Sequence, residues 1–403
     1  MTEKALDGVK VVEYCSFVAG PYCTKLLADL GAEVIKIEPP GVGDEARRRG
    51  PFLRDTPHPE LSGLFLYLNT NKLGITLNLN STTGKIIFKR LITDANILVE
   101  DRPPGEMKEL GLGYNVLKEI NPRLIMTSIT PFGQTGPYRN YKAYYLNTYH
   151  ASGAGYLLPI ASPNLDREPI KGPGLIGEYD AGLSSAVAIL GALYWQGVSS
   201  LGQYIDVSKQ ETLMALEKMD LSRFHEEGKS PTRGPSGRPA PSLVRGKDGG
   251  YILLQAPRDS QWRGFVEVMG NPEWAKDEKF STEDGRRKHP DELRERFAEW
   301  AKDYTTDEIF YKVQSGKCPA APVHSLEELL NSPQMEARGF LVEIDHPVAG
   351  KLKYPAWPYH FSKTPGKMER PAPLIGQHNE EVFCNHLGYT KEDLVKLKET
   401  GVI

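Results

Sequence analysis

The chain has 403 residues, which is more than one ordinary hydrophobic core usually supports. This length predicts two domains, or one large domain with an inserted segment. Its 49 basic and 52 acidic side chains leave a net charge of −3, a balance that argues against nucleic acid or an anionic membrane surface as a partner. Hydrophobic residues at 39% and charged residues at 25% are typical of a soluble globular protein.

The N-terminal residues and the cysteines predict a cytoplasmic location. The first eight residues are polar and of mixed charge, so no signal peptide is expected, and no apolar run is expected to be long enough to span a bilayer. The cysteines, Cys15, Cys23, Cys318 and Cys384, are too scattered for a disulfide framework or a metal site. We therefore expect reduced thiols and no bound metal.

The first forty residues predict the start of an α/β domain. A strand at residues 9–14, a helix at 21–30 and a strand at 32–38 have the length of a parallel strand–helix–strand unit. Glu38, at the end of the second strand, imitates the acidic residue of a dinucleotide site. The loop at 16–21 lacks the Gly-x-Gly-x-x-Gly sequence that lets a pyrophosphate approach the backbone, which leaves a dehydrogenase as a minor alternative.

The α/β pattern continues through the next hundred residues. Its predicted strands lie at 74–79, 96–100 and 124–129, and its predicted helices at 81–93 and 114–120. A Gly/Pro-rich loop at 130–137 follows the last of these strands, at the strand end where open α/β sheets bind ligands. The tyrosine-rich run at 141–149 would suit an aromatic or apolar acid, although a half-buried helix face has the same composition.

Two acidic residues, Glu178 and Asp180, stand at the end of a glycine-rich loop that precedes an apolar helix. Small and apolar residues recur at helical spacing from about 181 to 196, which predicts a helix packed closely on its neighbours. Aspartate is a preferred N-cap, so Asp180 is predicted to cap this helix. A helix N-terminus stabilises a carboxylate, so an acidic residue there can serve as a nucleophile. Two interpretations of Glu178 are therefore open: a solvated loop residue or a nucleophile.

The second half of the chain predicts a smaller α+β region and a return to the first domain. A strand at 202–208 and a long helix at about 210–226 precede a Gly/Pro-rich linker at 228–241. The elements predicted after the linker are a hairpin turn at 247–250, a strand at 251–255, helices at 260–269 and 290–303, strands near 340–345 and 350–354, and a helix at about 390–398. The predicted domains are residues 1–226, the N-terminal part of a large α/β domain; 227–321, the linker and a small α+β domain; and 322–403, a return segment that completes the large domain.

Short motifs in a fixed order along the whole chain carry a family resemblance. They are Ala19-Gly-Pro21, residues 27–38, Asn71-Lys72, and residues 110–114, 121–124, 202–208 and 375–378. In this order and spacing the chain resembles the class III coenzyme A transferases. That family includes formyl-CoA transferase and carnitine CoA-transferase, and α-methylacyl-CoA racemase is a close relative.

The resemblance implies a fold, an activity and a set of partners. The implied fold is α/β, with a large Rossmann-like domain built from both chain ends, a smaller α+β domain and an interlocked dimer. The implied activity is a coenzyme A transferase that moves CoA from an acyl-CoA donor to a carboxylic acid acceptor through an enzyme–carboxyl anhydride and thioester. The implied partners are an acyl-CoA, an organic acid, and an identical or homologous subunit; coenzyme A takes part as a substrate.

The resemblance also implies the catalytic residue. The family nucleophile is an aspartate four residues before the glycine that opens this helix, and Gly182 fixes that register here. Four residues before Gly182 is Glu178, which is therefore the implied nucleophile. Glutamate carries the same carboxylate on one more methylene, which is enough to move the attacking oxygen by about 1 Å.

Five further residues are implied to contact coenzyme A. Phe17 and Val18 match positions that line the entry for the nucleotide and the pantetheine. Lys142, with the neighbouring Tyr144, matches a region that reaches CoA, and Lys72 is a candidate partner for a phosphate. Without the family, each lysine is equally well explained as an exposed surface charge.

Two other functions stay open from the sequence. The replacement of the family aspartate by glutamate is compatible with a non-catalytic, CoA-binding subunit of a hetero-oligomeric CoA-transferase. An acyl-CoA racemase needs a pair of bases, and the racemase histidine falls at Tyr144 here, with His150 six residues further on. The sequence does not specify the acid or the acyl donor.

Overall fold

The structure is a computed structural model that describes residues 4–160, 162, 164–216, 218–230, 232–233, 242–255 and 258–403. The chain forms two compact units. The large unit comprises Met1–Leu158, Pro169–Pro231 and Arg338–Ile403, and the small unit comprises Pro159–Glu168 and Thr232–Ala337.

The first part of the large unit alternates strands and helices. Its elements are β1 (Lys10–Tyr14), α1 (Ala19–Asp29), β2 (Glu33–Glu38), α2 (Gly63–Leu68), β3 (Lys72–Thr76), α3 (Thr82–Thr93), β4 (Ile97–Glu100), α4 (Glu106–Glu109), α5 (Tyr114–Ile120), β5 (Ile125–Thr130), α6 (Tyr145–Ala151), α7 (Ile176–Ser199), β6 (Tyr204–Ser208), α8 (Lys209–Leu216) and α9 (Lys218–Glu227). The strands predicted from apolar runs are present within a few residues of their expected positions, because each run is long enough to be buried in a parallel sheet.

Six parallel strands form the sheet of the large unit, in the order β3-β2-β1-β4-β5-β6. This is the strand order of a doubly wound, Rossmann-type sheet, and the order reverses between β1 and β4. Val11 pairs with Val34 of β2 on one side and with Ile97 of β4 on the other. The α/β prediction is confirmed at this level.

Helices cover both faces of this sheet. One apolar cluster joins Val11 and Val34 to helices α1 and α7, and the opposite cluster joins Val12 and Leu98 to α3, α5 and the C-terminal helix. Neighbouring residues of one strand point to opposite faces, so both faces of each central strand are buried, as a continuous apolar run requires.

Helix α7 begins earlier than the sequence indicated. It starts at Ile176, with Leu175 at the N-cap position and no side-chain capping bond, so Glu178 lies in its first turn. Asp180 lies in the second turn and does not cap the helix, which corrects the predicted capping role. The reason is that helical hydrogen bonds already run from the N–H groups of Glu178 and Tyr179 to the Leu175 carbonyl, upstream of Asp180.

Among the helices of the described residues, α7 alone has the length and the apolar composition that would allow it to cross a membrane. Of its apolar stretch of 18 residues, 39% is buried inside the protein. The expectation that no apolar run reaches this length is therefore wrong, because the helix extends over 24 residues rather than about 16. Core helices of soluble proteins meet the same criterion.

The small unit is an α+β arrangement with its own core. Its elements are β7 (Ser242–Arg245), β8 (Tyr251–Leu254), α10 (Asp259–Val268), α11 (Glu278–Ser281), α12 (Glu283–Lys288), α13 (Pro290–Ala301), α14 (Thr306–Ser315), β9 (Ala320–Pro322), α15 (Leu326–Leu330) and α16 (Pro333–Ala337). The three strands pair antiparallel in the order β7-β8-β9. Aromatic residues of the helices, including Trp262, Phe265 and Phe297, fill the core.

The chain then returns to the large unit through the hairpin β10 (Leu341–His346) and β11 (Gly350–Pro355) and the C-terminal helix α17 (Lys391–Glu399). These units differ from the predicted segments at two places. The return begins at Arg338 rather than at 322, because β9 pairs with β8 inside the small unit. Residues 159–168 also belong to the small unit, and much of the predicted linker at 228–241 lies outside the described residues.

Candidate active site

Glu178 is a buried carboxylate at a helix N-terminus. It is the third residue of α7 and is only 2% exposed. The N-cap residue Leu175 has no polar side chain to occupy the free N–H groups of the first turn. The positive end of the helix dipole and these N–H groups are therefore available to the carboxylate of Glu178 or to a group bound beside it.

Lys209 forms an ion pair with Glu178. Its Nζ lies 2.7 Å from Glu178 Oε2, and the lysine side chain is 15% exposed. Lys209 is the first residue of α8 and follows directly on β6, whose carboxyl end lies at the ligand-binding edge of an open α/β sheet. The site thus contains a carboxylate and an ammonium group that are both largely withdrawn from water.

Two glycines allow the first turns of α7 to approach neighbouring helices. A Cβ added at Gly177 would lie 2.9 Å from Leu213 Cδ1 of α8, and one added at Gly182 would lie 2.6 Å from the Ala19 carbonyl oxygen of α1. At Gly182 the contact is with backbone, so only glycine permits it without a shift of the helices, whereas at Gly177 a larger residue would require the Leu213 side chain to move. The start of α1 is consequently held beside the start of α7.

Tyr145 lies in the electrostatic environment of Glu178 and Asp180. Burial raises the pKa of Tyr145, the first residue of α6, and the nearby charges of Tyr149, Asp180 and Glu178 raise it further. Burial also raises the pKa of Asp180. Tyr145 is therefore close enough to both acidic residues of α7 for their charges to affect it.

Phe17 and Val18 lie immediately before α1, in the loop that follows β1. Phe17 has a φ of 69°, and its N–H group donates a hydrogen bond to Asp44 Oδ1 at 2.9 Å. Its ring is half-buried, whereas Val18 is fully buried. Because the Ala19 carbonyl packs closely against Gly182, this loop lies near the first turns of α7.

Lys142 and Tyr144 lie on the surface of the large unit. Tyr144 is 63% exposed and occupies the N-cap position of α6, where its N–H group donates to Asn147 Oδ1 at 3.0 Å. Lys142 is exposed two residues earlier. Both side chains are accessible to a ligand from solvent.

Lys72 is not accessible to a phosphate, which corrects the implied contact. It is fully buried, and its Nζ donates to the Pro21 carbonyl at 2.7 Å and to Asn69 Oδ1 at 3.0 Å. The same ammonium group lies 2.8 Å from Glu13 Oε2. Burial lowers the pKa of Lys72 to about 8, against the opposing effect of Glu13. This lysine therefore fastens β3 to the start of α1.

Comparison with known proteins gives the family. The chain matches the sequence model of CoA-transferase family III over residues 6–379. The chain belongs to CoA-transferase family III. The predicted family is thereby confirmed, and this transferase is an enzyme that moves CoA between an acyl-CoA and a carboxylic acid.

Relatives of the transferase cover nearly its whole length. It is 34% identical to a succinyl-CoA–D-citramalate CoA-transferase of Chloroflexus aurantiacus, over 99% of this chain and 98% of that one. It is 30% identical to a formyl-CoA:oxalate CoA-transferase of Rhodopseudomonas palustris, over 99% and 97%. It is also 30% identical to a succinate–glutarate CoA-transferase of Agrobacterium fabrum, over 94% and 95%. These relatives support neither the racemase nor the non-catalytic subunit.

Solved structures agree with the fold of the transferase. A CAIB/BAIF family protein from Brucella suis superimposes with a TM-score of 0.82 at 29% identity, over 96% of this chain and 100% of that one. A protein from Mycobacterium tuberculosis gives a TM-score of 0.80 at 25% identity, over 94% and 99%.

Sequence reasoning missed Lys209. It recognised the strand that ends at Ser208 but not the residue after it, although this position lies at the carboxyl end of a parallel strand. That position was the available signal, since ligands bind at this edge of open α/β sheets. The contact with Glu178 joins residues 31 positions apart and could not be read from spacing.

The transferase also contains a cavity of 580 Å³ whose lining does not include Glu178. Glu100, Tyr114 and Tyr204 lie in its wall. Tyr204 donates a hydrogen bond to Ser128 Oγ at 2.8 Å, and Ser128 donates in turn to Glu100. Burial raises the pKa of Glu100 to about 7.

Within the described residues there is no group of three or more His, Cys, Asp or Glu side chains that could hold a metal ion.

Proposed function

We propose that the transferase uses Glu178 as its nucleophile. The Glu178 carboxylate attacks the thioester carbonyl of the acyl-CoA donor, the C–S bond breaks, and a mixed anhydride and the CoA thiolate form. The thiolate then attacks the glutamyl carbonyl, which releases the donor acid as a carboxylate and leaves a glutamyl–CoA thioester. The acceptor carboxylate reverses these two steps, forms the new acyl-CoA and restores the Glu178 carboxylate.

The burial of Glu178 in the first turn of α7 is the observation that carries this proposal. A carboxylate is a poor nucleophile in water and becomes reactive when it is desolvated and held by oriented donors. The N–H groups at the start of a helix can also stabilise the oxyanion that forms at each carbonyl. A cap residue needs no such burial, since solvent can complete its hydrogen bonds.

We infer that coenzyme A enters beside the start of α1. Phe17 and Val18 would line the path to Glu178, and the exposed Lys142 and Tyr144 would contact the nucleotide part. The close approach of α1 and α7 at Ala19 and Gly182 supports this path.

The acceptor is proposed to be a small dicarboxylic acid. The three relatives carry the names of citramalate, oxalate, succinate and glutarate, all of which are dicarboxylic acids. A tyrosine-rich run alone gives weaker support to an aromatic acid, because Tyr145 and Tyr149 of that run are buried in the protein core.

The assembly is proposed to be an interlocked dimer in the cytoplasm, with the large domain completed by both chain ends. An apolar face of α7 supports a protein partner, since Leu183, Val187, Leu190, Tyr194 and Val198 are exposed on it. Contiguous apolar surface of this kind is typical of protein interfaces.

Mass spectrometry tests the nucleophile. After incubation with succinyl-CoA or formyl-CoA, we expect a CoA thioester adduct on Glu178 that hydroxylamine removes. Glu178→Ala should lose the adduct and reduce turnover by about a thousandfold or more, as for other covalent nucleophiles. Asp180→Asn, two residues further along the same helix, is the matched control and should keep the adduct. Unchanged turnover in Glu178→Ala would refute the proposal.

A further inference from the structure

Lys209 has a single acidic partner within the described part of the chain, and the reaction neutralises that partner. In the resting protein, Lys209 Nζ lies 2.7 Å from Glu178 Oε2. In both covalent intermediates, the anhydride and the thioester, the glutamyl group carries no charge. The ammonium group then stands without a counter-charge in a site that is largely closed to water, which is strongly unfavourable.

A new anion must therefore be attracted to the same position once Glu178 is acylated. The substrate that arrives at that stage is a carboxylate. An oxygen of that carboxylate bound to Lys209 would stand within a few ångströms of the glutamyl carbonyl carbon, at about the 3–3.5 Å separation of a reactive complex. The ammonium group would thus guide the attacking group to the electrophilic carbon.

We propose that Lys209 is the acceptor-binding residue of the acylated enzyme. Its ammonium group pairs with Glu178 in the free enzyme and with the attacking carboxylate of the acid in the thioester intermediate. The proposal rests on Glu178 being the nucleophile. It gives the enzyme an order of binding: in the free enzyme Glu178 occupies the Lys209 ammonium group, and formation of the thioester frees it for the acid.

The ion pair does more than hold Glu178 in place. The N-terminus of α7 already supplies a positive environment for a carboxylate, so a lysine is not needed to keep Glu178 in the first turn. Lys209 is itself fixed at the start of α8, where the Ser208 hydroxyl accepts a hydrogen bond from the Glu211 N–H at 3.3 Å. Its backbone position is therefore set independently of Glu178.

Direct binding tests the proposal without turnover. Glu178→Gln places a neutral group where the thioester carbonyl would be and frees Lys209. We expect this variant to bind oxalate, succinate, glutarate or D-citramalate at least about tenfold more tightly than the wild type, by calorimetry, since it gains one charge-assisted contact. The double variant Glu178→Gln/Lys209→Met should lose that gain. An equal gain in both variants, or no gain in either, would overturn the proposal.

Separate half-reactions give the second test. In Lys209→Met, formation of the CoA adduct from succinyl-CoA should stay within about threefold of the wild type, whereas discharge of the adduct by the acid should slow by about a hundredfold. Lys209→Arg should recover part of the discharge rate. Loss of adduct formation in Lys209→Met would instead show that Lys209 only positions Glu178.

The controls separate this proposal from the proposed function. Lys171→Met removes an exposed positive charge from the loop before α7 and should change neither half-reaction. If wild-type enzyme forms no adduct at Glu178 with any donor, the nucleophile proposal fails whatever the binding data show. If the adduct forms but Lys209→Met discharges it normally, only the role of Lys209 fails. Circular dichroism and thermal unfolding of each variant report whether it folds.

Discussion

At Glu178, the extra methylene and the lysine partner fit together. The Glu178 carboxylate stands on one more methylene than an aspartate carboxylate would, and it is buried in the first turn of α7. The Lys209 ammonium lies 2.7 Å from its Oε2. The glutamate therefore has an ion-pair partner in the structure.

Lys72, unlike Lys209, has a structural role and lies outside the candidate site. A lysine beside a candidate ligand loop suggests a phosphate contact. Lys72 instead belongs to a buried cluster of charged residues, which is formed by Glu13, Lys36, Lys72 and Asp44. Lys36 lies 2.7 Å from both Glu13 and Asp44. Burial alone would raise the pKa of Glu13, but Lys36 and Lys72 lower it to about 2. The cluster is a structural feature that joins β1, β2 and β3 to the loop at Asp44.

Acid is expected to destabilise the large unit through Glu13. Its pKa is about 2 in the folded chain against a usual value of 4.5, so its stabilisation is complete above pH 4.5 and is lost as the pH falls towards 2. We expect this group to remove about 3 kcal/mol from the free energy of unfolding over that interval, at about 1.4 kcal/mol per pKa unit. Urea unfolding at a series of pH values from 6 to 2.5 measures the loss.

The control for this pH dependence is the double variant Glu13→Gln/Lys72→Met, which removes one charge of each sign. Its free energy of unfolding should fall less steeply between pH 4.5 and 2.5. Glu13→Gln alone should cost about 3–5 kcal/mol at neutral pH, because it leaves buried ammonium groups without their partner. An identical slope in the wild type and the double variant would rule out Glu13 as the source.

At the scale of elements, α7 has its functional end fixed by close packing. Gly182 lets the helix touch α1 and Gly177 lets it touch α8, so the first turn that carries Glu178 is held from two sides. The ring of Tyr179 also meets Tyr22 of α1 edge-on at 4.9 Å. A site built on rigid helix ends retains its geometry better than one on a free loop.

Gly182→Ala is expected to damage stability and activity together. The new Cβ would lie 2.6 Å from the Ala19 carbonyl oxygen, so α7 must move away from α1. We expect a loss of about 1–3 kcal/mol in the free energy of unfolding, as for other overpacked sites, and a lower kcat because Glu178 moves with the helix. Urea unfolding and steady-state kinetics measure the two effects.

Gly191→Ala is the matched control on the same helix. An added Cβ there meets nothing within 4 Å, and alanine is favoured over glycine in a helix by about 1 kcal/mol. This variant should be at least as stable as the wild type and equally active. If both variants behaved alike, close packing at Gly182 would not be what holds the first turn.

At the scale of the whole molecule, the exposed apolar face of α7 is expected to be covered by a second subunit. Light scattering should then give a mass of about twice 44.9 kDa for the wild type. Tyr194→Glu places a charge on this face and should shift the protein towards the monomer. Leu326→Glu, at a residue of the small unit that is equally exposed at 80%, is the control and should leave the mass unchanged. A monomeric wild type would contradict the proposed dimer.

The sequence by itself determined the sheet of the large unit and the family. Runs rich in apolar residues, such as 9–14 and 124–129, predict buried parallel strands because a strand covered on both faces is apolar at most of its positions. Motif order along the chain predicted the CoA-transferase family without any contact being known. The predicted helix at 81–93 is also present, and Ser81 caps it by accepting a hydrogen bond from the Gly84 N–H at 2.9 Å.

Only the tertiary structure decided which charged residues serve the site. Lys209 and Lys72 are both lysines beside predicted loops, and their sequence neighbourhoods do not distinguish them, whereas Glu178 was singled out by its position relative to Gly182. Packing buried Lys72 against Glu13, 59 positions earlier, and brought Lys209 to Glu178 across 31 positions. The physical reason is that burial and ion pairing depend on which elements meet in space, whereas propensity and periodicity report only what each element does by itself. The start of α7 at Ile176, which moved Asp180 out of the cap position and Glu178 into the first turn, was decided by that same packing.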